Sequence, residues 1–519
     1  MREKAVFSVC LLQNQTSTRS KIWRSLPGTP DNEKMLYYKL IESHLHNSSS
    51  VFADDCHALT YCDLHRIVMC FSKRIAAYGK NGTVLIVNAN CIETCIVILG
   101  CIAQGIRYSI VYESMLNERK DYIIRNSDAI LIMGESAAWM PQTDVPFLTF
   151  QEIWKCDEDM DNLEERSQID PESDAYILYT SGSTELPKGV LAGYSQIIFS
   201  VDAINRVLKN TKEDVIWNCL PMAFDYGMYQ LFLALDSEAS FYISRQPMVA
   251  MIPRMLVDKR VTAFPVVPSL LGMILKSHLL QRTSGIKLRY ITSTGDTLPV
   301  EWIKETEKML TGTIVVPMYG ITECKRVAIM PLDDVGKKYE GSCGLPLPGI
   351  EVDLDYEQGE VGTGELIVYG PNVMKGYWKA SEESKKSFGY DEKRKQHYLR
   401  TGDIFRCDKD GYLYFVERKS EFIKSNGFRI SGREIDIFLL NAIKDMNECC
   451  TIGIPHDNLG QQIVTVYSGS CDHRKLEQKI AELPVYLRPH RIVYLGHMLP
   501  KTSNGKFDKR QIAEIVRER

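Results

Sequence analysis

Between Tyr179 and Val190 the chain reads YTSGSTELPKGV. The hydroxyls of Thr180, Ser181, Ser183 and Thr184, with the amides around Gly182, can donate to phosphate oxygens, and Lys188 adds a mobile positive charge. The glycine spacing is not that of a Walker A loop, and a Ser/Thr-rich surface turn has the same composition. Further on, YGITE (Tyr319 to Glu323) offers a flat ring, a hydroxyl at Thr322 and a carboxylate at Glu323. These suit stacking on a base and holding Mg2+ opposite phosphates. YLRTGDI places Asp403 in a tight turn, where a carboxylate can accept both ribose hydroxyls or simply stabilise the turn. LPKTSNGKFDK puts Lys506 directly after a Ser-Asn-Gly turn, a place where a solvated lysine is equally at home.

Elements must position these residues, and the apolar pattern supplies them. TVLIVNA, AILIMG, AYILYT, VIWNCLP, ASFYIS, TAFPVVP, LRYITST and TIVVPMYG read as strands alternating with amphipathic segments, the pattern of an α/β fold. In SQIIFSVDAINRVLK, Ile197, Val201, Ile204 and Leu208 mark one face of a helix. Three strands end in small, polar, turn-forming residues (YILYT-SGST, RYITST-GDT, VVPM-YGITE), and open α/β sheets bind ligands beyond the carboxyl ends of their strands. The charged passage from Ser381 to Tyr398 reads as a solvated loop. After it, GYLYFVERKSEFIKSNGFRI reads as short strands, and SGREIDIFLLNAI as a helix capped by Ser431 and Glu434 with Ile435, Phe438, Leu439, Ala442 and Ile443 buried. A boundary near Glu417 to Ser420 divides a large N-terminal α/β domain of packed sheets and helices, 1–416, from a small C-terminal α+β domain, 417–519.

Composition narrows the class. The 519 residues are 45% hydrophobic and 25% charged, with a net charge of −4, so no global basic field points to nucleic acid or an anionic membrane. The most apolar window, CIVILGCIAQGI, is broken too soon for a membrane span. AVFSVCLL near the start imitates a signal peptide but reads better as an opening strand. Fifteen cysteines show no zinc-ligand spacing, Cys62, His65 and Cys70 included; they read as buried free thiols in a reducing, cytoplasmic compartment.

Taken in order, YTSGSTELPKG, YGITE, RTGD, ERKSEFIKSNGFRI and NGK resemble the core motifs of the adenylate-forming superfamily, which includes acyl-CoA synthetases, amino-acid adenylation domains and luciferases. The resemblance runs from about residue 60 to the end and takes in GSCGLPLPGIEV and ELIVYGPNVMKGYW. It implies two half-reactions: a carboxylate attacks the α-phosphate of Mg·ATP, and a thiol of coenzyme A or of a carrier protein's pantetheine then displaces AMP. By resemblance, Thr180 to Thr184 and Lys188 embrace the phosphates, and Thr184 and Glu323 serve Mg2+. Tyr319 with Gly320, and the backbone of Gly295, Asp296 and Thr297, flank adenine, while Asp403 and Arg418 take the ribose. Lys506 bridges the carboxylate and the α-phosphate. The small domain is implied to be a mobile lid whose rotation withdraws Lys506 and presents the loop around Gly427 to the thiol.

The chain departs from the family pattern at Ser420, where the hinge usually has aspartate or lysine, and at Tyr194, where many members have histidine. It also departs at Glu185, which replaces a glycine. An outward-facing Glu185 is harmless, whereas one aimed at triphosphate would be repelled by a few kcal/mol. The pocket residues implied are Phe224, Asp225, Tyr226, Met318 and Ile321, an apolar and aromatic set apart from Asp225. That aspartate pairs with a substrate ammonium in amino-acid adenylation domains, yet it can equally cap a helix. The leading expectation is an AMP-forming ligase for a non-amino carboxylic acid. A free-standing amino-acid adenylating enzyme that loads a carrier protein in trans is the alternative, and a non-catalytic nucleotide-binding relative a remote one.

Overall fold

The computed structural model describes residues 35–87, 89–113, 117–141, 143–155, 169–180, 186–245, 247–296, 298–334, 341–356, 362–426, 428–443, 445–502 and 506–519. The apolar runs form strands where their patterning places them. Thr83–Val87, Arg107–Val111, Ala129–Gly134 and Asp174–Thr180 join a seven-stranded sheet. Val215–Asn218, Ser240–Ile243, Ala263–Val266, Tyr290–Ser293 and Ile314–Ile321 join a fourteen-stranded one. Both are parallel through their buried centres, and Thr83–Val87 is buried along its whole length, as a strand covered on both faces must be.

Helices fill the space between the sheets. Tyr194–Leu208 touches Lys188–Gly193 of one sheet and Lys325–Ile329 of the other. Asp225–Asp236 is buried on every side through Leu235, which suits a helix that is apolar all round. Gly227 lets it start tight against the preceding turn, because a Cβ there would collide with the Pro221 carbonyl.

The wide sheet continues into an antiparallel meander that ends at Leu413–Arg418. Next, Ile423–Ser425 belongs to a separate five-stranded sheet, so the chain passes from a large lobe to a small one between them. In the small lobe, Gly432–Ala442 is a helix capped by Ser431, whose hydroxyl accepts from Glu434 N; Ile435, Leu439 and Ile443 are buried, with Phe438 and Ala442 packed beside them. Ser431 also donates to Glu417 (3.0 Å), and Arg433 N donates to the same buried carboxylate, placing a negative charge at the helix start.

Three readings need correction. Asp403, expected in a tight turn, lies inside the strand Gln396–Cys407, whose ladder pairs it with Arg418. Ser381 to Tyr398 is not a loop: Ser381–Ser387 is a helix, and Phe388–Asp391 pairs with the start of Gln396–Cys407. Its charges mark exposure, and helix-forming Glu and Lys tolerate exposure without irregular backbone. Among the cysteines, Cys62 is exposed, Cys70 is disulfide-bonded rather than free, and the His65 ring lies 3.3 Å from the Tyr37 hydroxyl. The opening strand expected near the N-terminus lies outside the described residues. No helix among the described residues is long and apolar enough to cross a membrane.

Gly227→Ala forces the pocket helix away from Pro221, and its denaturation midpoint should reveal a loss of about 1–3 kcal/mol.

Candidate active site

The strand Ile314–Ile321 leaves the wide sheet's parallel centre and turns back into Lys325–Ile329. Gly320 is required at that turn because a Cβ would strike the Lys325 carbonyl. Tyr319, just before it, is buried with its ring edge-on to Phe405 (centroids 4.6 Å apart), and its hydroxyl donates to Asp403 Oδ2 at 2.7 Å. Arg418 Nε donates to the other oxygen at 3.0 Å, across a pair that the strands Gln396–Cys407 and Leu413–Arg418 hold in register. Asp403 is thus buried and held from two sides by donors, an arrangement that fixes its direction. Each carboxylate oxygen retains a lone pair for a further donor.

Glu323 lies in the same turn, with Thr322 half-buried beside it. Glu323 Oε1 accepts from the Tyr377 hydroxyl at 2.9 Å, while Lys188 Nζ lies 5.8 Å from the centre of the Tyr377 ring. Tyr377 therefore stands between the phosphate-loop lysine and the carboxylate expected to hold the metal. Sequence reasoning passed over it, although it closes the block ELIVYGPNVMKGYW. Thr180 and Lys188 face each other across an antiparallel pair, with Thr180 Oγ1 donating to the Lys188 carbonyl (3.3 Å), so the two ends of the hydroxyl-rich loop are tied together. Ser181, Gly182, Ser183, Thr184 and Glu185 lie outside the described residues, as do Thr297 and Gly427. A hard carboxylate oriented by a phenol fits a magnesium site, with Glu323 its described donor.

Gly295 has φ +97°, which favours glycine, and its α-carbon faces the Phe224 ring. A Cβ at Gly295 would come into contact with the Phe224 ring, so the backbone expected beside adenine lies close to the first pocket residue. Asp296 is exposed next to it. Lys506 is exposed in the small lobe; burial raises the Glu421 carboxyl there, but Lys509 chiefly, with Arg418 and then Lys506, draws it below the usual carboxylate range. Ser420 falls in the turn closed by Glu421 N donating to the Arg418 carbonyl (2.9 Å).

The pocket is not simply apolar. Met318 and Tyr226 are buried and Ile321 half-buried, and the Tyr226 hydroxyl donates to the Thr292 carbonyl at 2.9 Å. Asp225, however, is buried 3.6 Å from the Nζ of buried Lys325, which lies over the Tyr176 and Tyr229 rings. Arg326, also buried, sits over the Tyr226 ring, 4.7 Å from its centre. Burial is the main cause that lowers the Lys325 ammonium to about 8; Arg326 adds to this, and Asp225 opposes it. The expectation of an apolar pocket around Asp225 missed both cations. The signal was present in ECKRV, two cations inside a strand whose neighbours are all buried. Tyr194 is buried with its hydroxyl unpartnered.

The chain matches the model of the AMP-binding enzyme family over residues 41–378. It is 26% identical over 390 residues to a probable CoA ligase, CCL8, of Humulus lupulus, covering 68% of this chain but only 63% of that protein. It is 30% identical to an oxalate–CoA ligase of Arabidopsis thaliana, covering 67% of this chain and 69% of that one. The structure resembles ATP-bound MatB from Rhodopseudomonas palustris with a TM-score of 0.83 at 21% identity, over 93% of this chain and 99% of that chain.

Asp225→Asn alone leaves Lys325 and Arg326 buried without their anion and should lower the thermal midpoint; adding Lys325→Met, which leaves Arg326 as the one remaining charge of the three, should recover part of that loss. The sign with pH is fixed as well. The folded-state lysine titrates near 8, below the usual value of about 10.4, so in that interval the unfolded chain binds more protons. Denaturant titrations should show stability rising with pH across the interval in the parent relative to the double variant.

Proposed function

The chain belongs to the AMP-binding enzyme family, and from that premise we propose that it is an ATP-dependent carboxylate–thiol ligase acting through an acyl-adenylate. A carboxylate oxygen attacks the α-phosphorus of ATP and pyrophosphate leaves. A thiol of coenzyme A, or of a carrier protein's pantetheine, then attacks the acyl carbon and AMP leaves. The observation that carries this reading is the pair of neighbouring clamps on one hairpin: Asp403 held between Tyr319 and Arg418 for a ribose, and Glu323 oriented by Tyr377 beside Lys188 for a metal-bound triphosphate.

The protein's own contribution is placement and charge. Lys188 and Thr180 anchor the phosphate loop, whose Ser181, Gly182, Ser183 and Thr184 surround the phosphates. Gly320 and Thr322, with the backbone of Gly295, Asp296 and Thr297, flank adenine beside Tyr319. Phe224, Asp225, Tyr226, Met318 and Ile321 face the acid. Magnesium, held by Glu323 and Thr184, supplies neutralisation of phosphate charge. Like other phosphoryl chemistry, the step depends on alignment and electrostatic stabilisation more than on covalent help.

Residues 417–519 act as the lid. Lys506 is brought to the reacting carboxylate for the first half-reaction and withdrawn for the second, when the loop at Gly427 lines the path of the thiol. A cytoplasmic setting fits the twelve free cysteines among the described residues, with the disulfide-bonded Cys70 standing against it. An amino-acid adenylating enzyme remains the alternative, with Asp225 as the ammonium partner; in the structure that role must be shared with Lys325. A non-catalytic relative is disfavoured because Lys188, Glu323, Asp403, Arg418 and Lys506 are all retained.

Lys506→Ala should lower carboxylate-dependent exchange of pyrophosphate into ATP at least about a hundredfold, while transfer from supplied acyl-AMP to coenzyme A stays largely intact. Equal loss of both halves would remove Lys506 from the role given to it.

A further inference from the structure

The charges around Asp225 do not balance. Lys325 and Arg326 are two cations, each at least nine-tenths buried, and Asp225 is the buried anion paired with one of them. Lys325 Nζ has no hydrogen-bond partner, and neither does Arg326 Nε. The Asp225 carboxylate is 3.6 Å from Lys325 Nζ, an ion pair too long to be a hydrogen bond. Glu323 contributes at longer range, but its Oε1 is already taken by the Tyr377 hydroxyl. The walls are the rings of Tyr176, Tyr226 and Tyr229, which attract cations without accepting a hydrogen bond in the plane of a donor. A buried ammonium and guanidinium left in this state are costly, and buried charges are ordinarily paired and hydrogen-bonded.

Their location gives the vacancy in their hydrogen bonding a meaning. Asp225 opens the pocket helix, next to Phe224, whose ring meets Gly295. Lys325 and Arg326 begin the return strand of the hairpin that carries Tyr319 and Glu323, and Arg326 pairs in register with Gly320. Tyr226, beneath Arg326, is bonded to Thr292; the next residue, Ser293, is a buried serine whose hydroxyl also lacks a partner. Unpartnered polar atoms thus come from two strands of one sheet, next to residues expected to face the acid.

We propose that the acid activated here carries a second carboxylate, seated by Lys325 and Arg326 beside Asp225. This inference rests on the carboxylate-activating reading above and names its substrate class. The reacting carboxylate is committed to the α-phosphate, so only the distal one can supply the anion. One such carboxylate brings the buried group of three side chains to neutrality and offers acceptors to both unpartnered nitrogens. A monocarboxylate leaves the excess positive charge and both donors unsatisfied. The planar fork of arginine and the compact ammonium of lysine suit a carboxylate approached from two directions. An amino group on the same acid would take Asp225 while Lys325 turns to the distal carboxylate; one positive charge then remains, and the distal carboxylate still supplies acceptors to both unpartnered nitrogens.

The test compares diacids with their own monoamides, which keep size and remove the distal charge. Pyrophosphate exchange is measured with malonate, succinate, glutarate, adipate and aspartate, each against its monoamide or, for aspartate, asparagine. The expected result is that at least one diacid exceeds its monoamide at least about a hundredfold in kcat/KM, since a site built to pair a polar group rejects the analogue lacking it. Activity on succinate or its homologues identifies a plain diacid, and activity on aspartate an acidic amino acid; either supports the proposal. Arg326→Gln should narrow the ratio at least about tenfold by raising KM for the diacid and leaving the KM for ATP unchanged. Exchange with fatty or aryl monocarboxylates that equals or exceeds every diacid overturns the proposal while leaving the ligase reading standing. Should no acid support exchange, calorimetric titration of the same diacids and monoamides into the ATP-loaded protein still decides. Preferential diacid binding lost in Arg326→Gln upholds the seat even as the ligase reading falls, and indifference between the two sets removes it.

Discussion

Burying Asp225, Lys325 and Arg326 among tyrosine rings is the most demanding thing this chain does, and much of the large lobe makes it tolerable. Three ionisable groups removed from water need walls that do not move, and here the walls are two sheets and an all-buried helix. Tyr176 comes from one sheet and the hairpin that carries Lys325 from the other, so the site exists only where the two sheets face each other across Asp225–Asp236. Lys325 itself is in left-handed backbone, at φ +56°, a conformation costly for a residue with a Cβ. Its place is held by the turn that Gly320 closes.

The same hairpin serves the nucleotide side. Tyr319 reaches back to Asp403, Glu323 to Tyr377, and both partners lie in the later, antiparallel part of the chain. Residues 54 and 84 positions apart are thereby set by one turn. What looks like a string of separate motifs in sequence is a hairpin with two partners in space.

That difference explains what could be read from the sequence. The buried parallel strands announced themselves because a strand covered on both faces must be apolar for its whole length, as Thr83–Val87 is. The Ser431 cap was legible because capping is local chemistry between residues three apart. Asp403, Glu323 and Lys188 were found as residue types, but their partners were not: nothing near Glu323 in sequence points to Tyr377. Lys325 and Arg326 were hidden for a different reason. Charge in a sequence is read as exposure, and the two cations follow the prominent turn motif so closely that they pass for its solvated edge. The same habit failed in the opposite sense at Ser381 to Tyr398, where charge did mean exposure but the backbone was regular all the same.

The clamp on Asp403 has a mechanical consequence. Arg418, which holds that carboxylate, is the last residue of its strand, and the turn containing Ser420 begins on Arg418's own carbonyl. Lys419 N donates to the Gly402 carbonyl at 2.7 Å, so the strand end is riveted to the strand that bears Asp403. In the lid motion proposed above, a swivel that starts at Ser420 has its axle bolted to the carboxylate proposed to hold the ribose. A lobe mounted that way would sweep its far end through a wide arc while the point nearest Asp403 hardly travels. One nucleotide could then stay seated while the groups brought against its other end are exchanged.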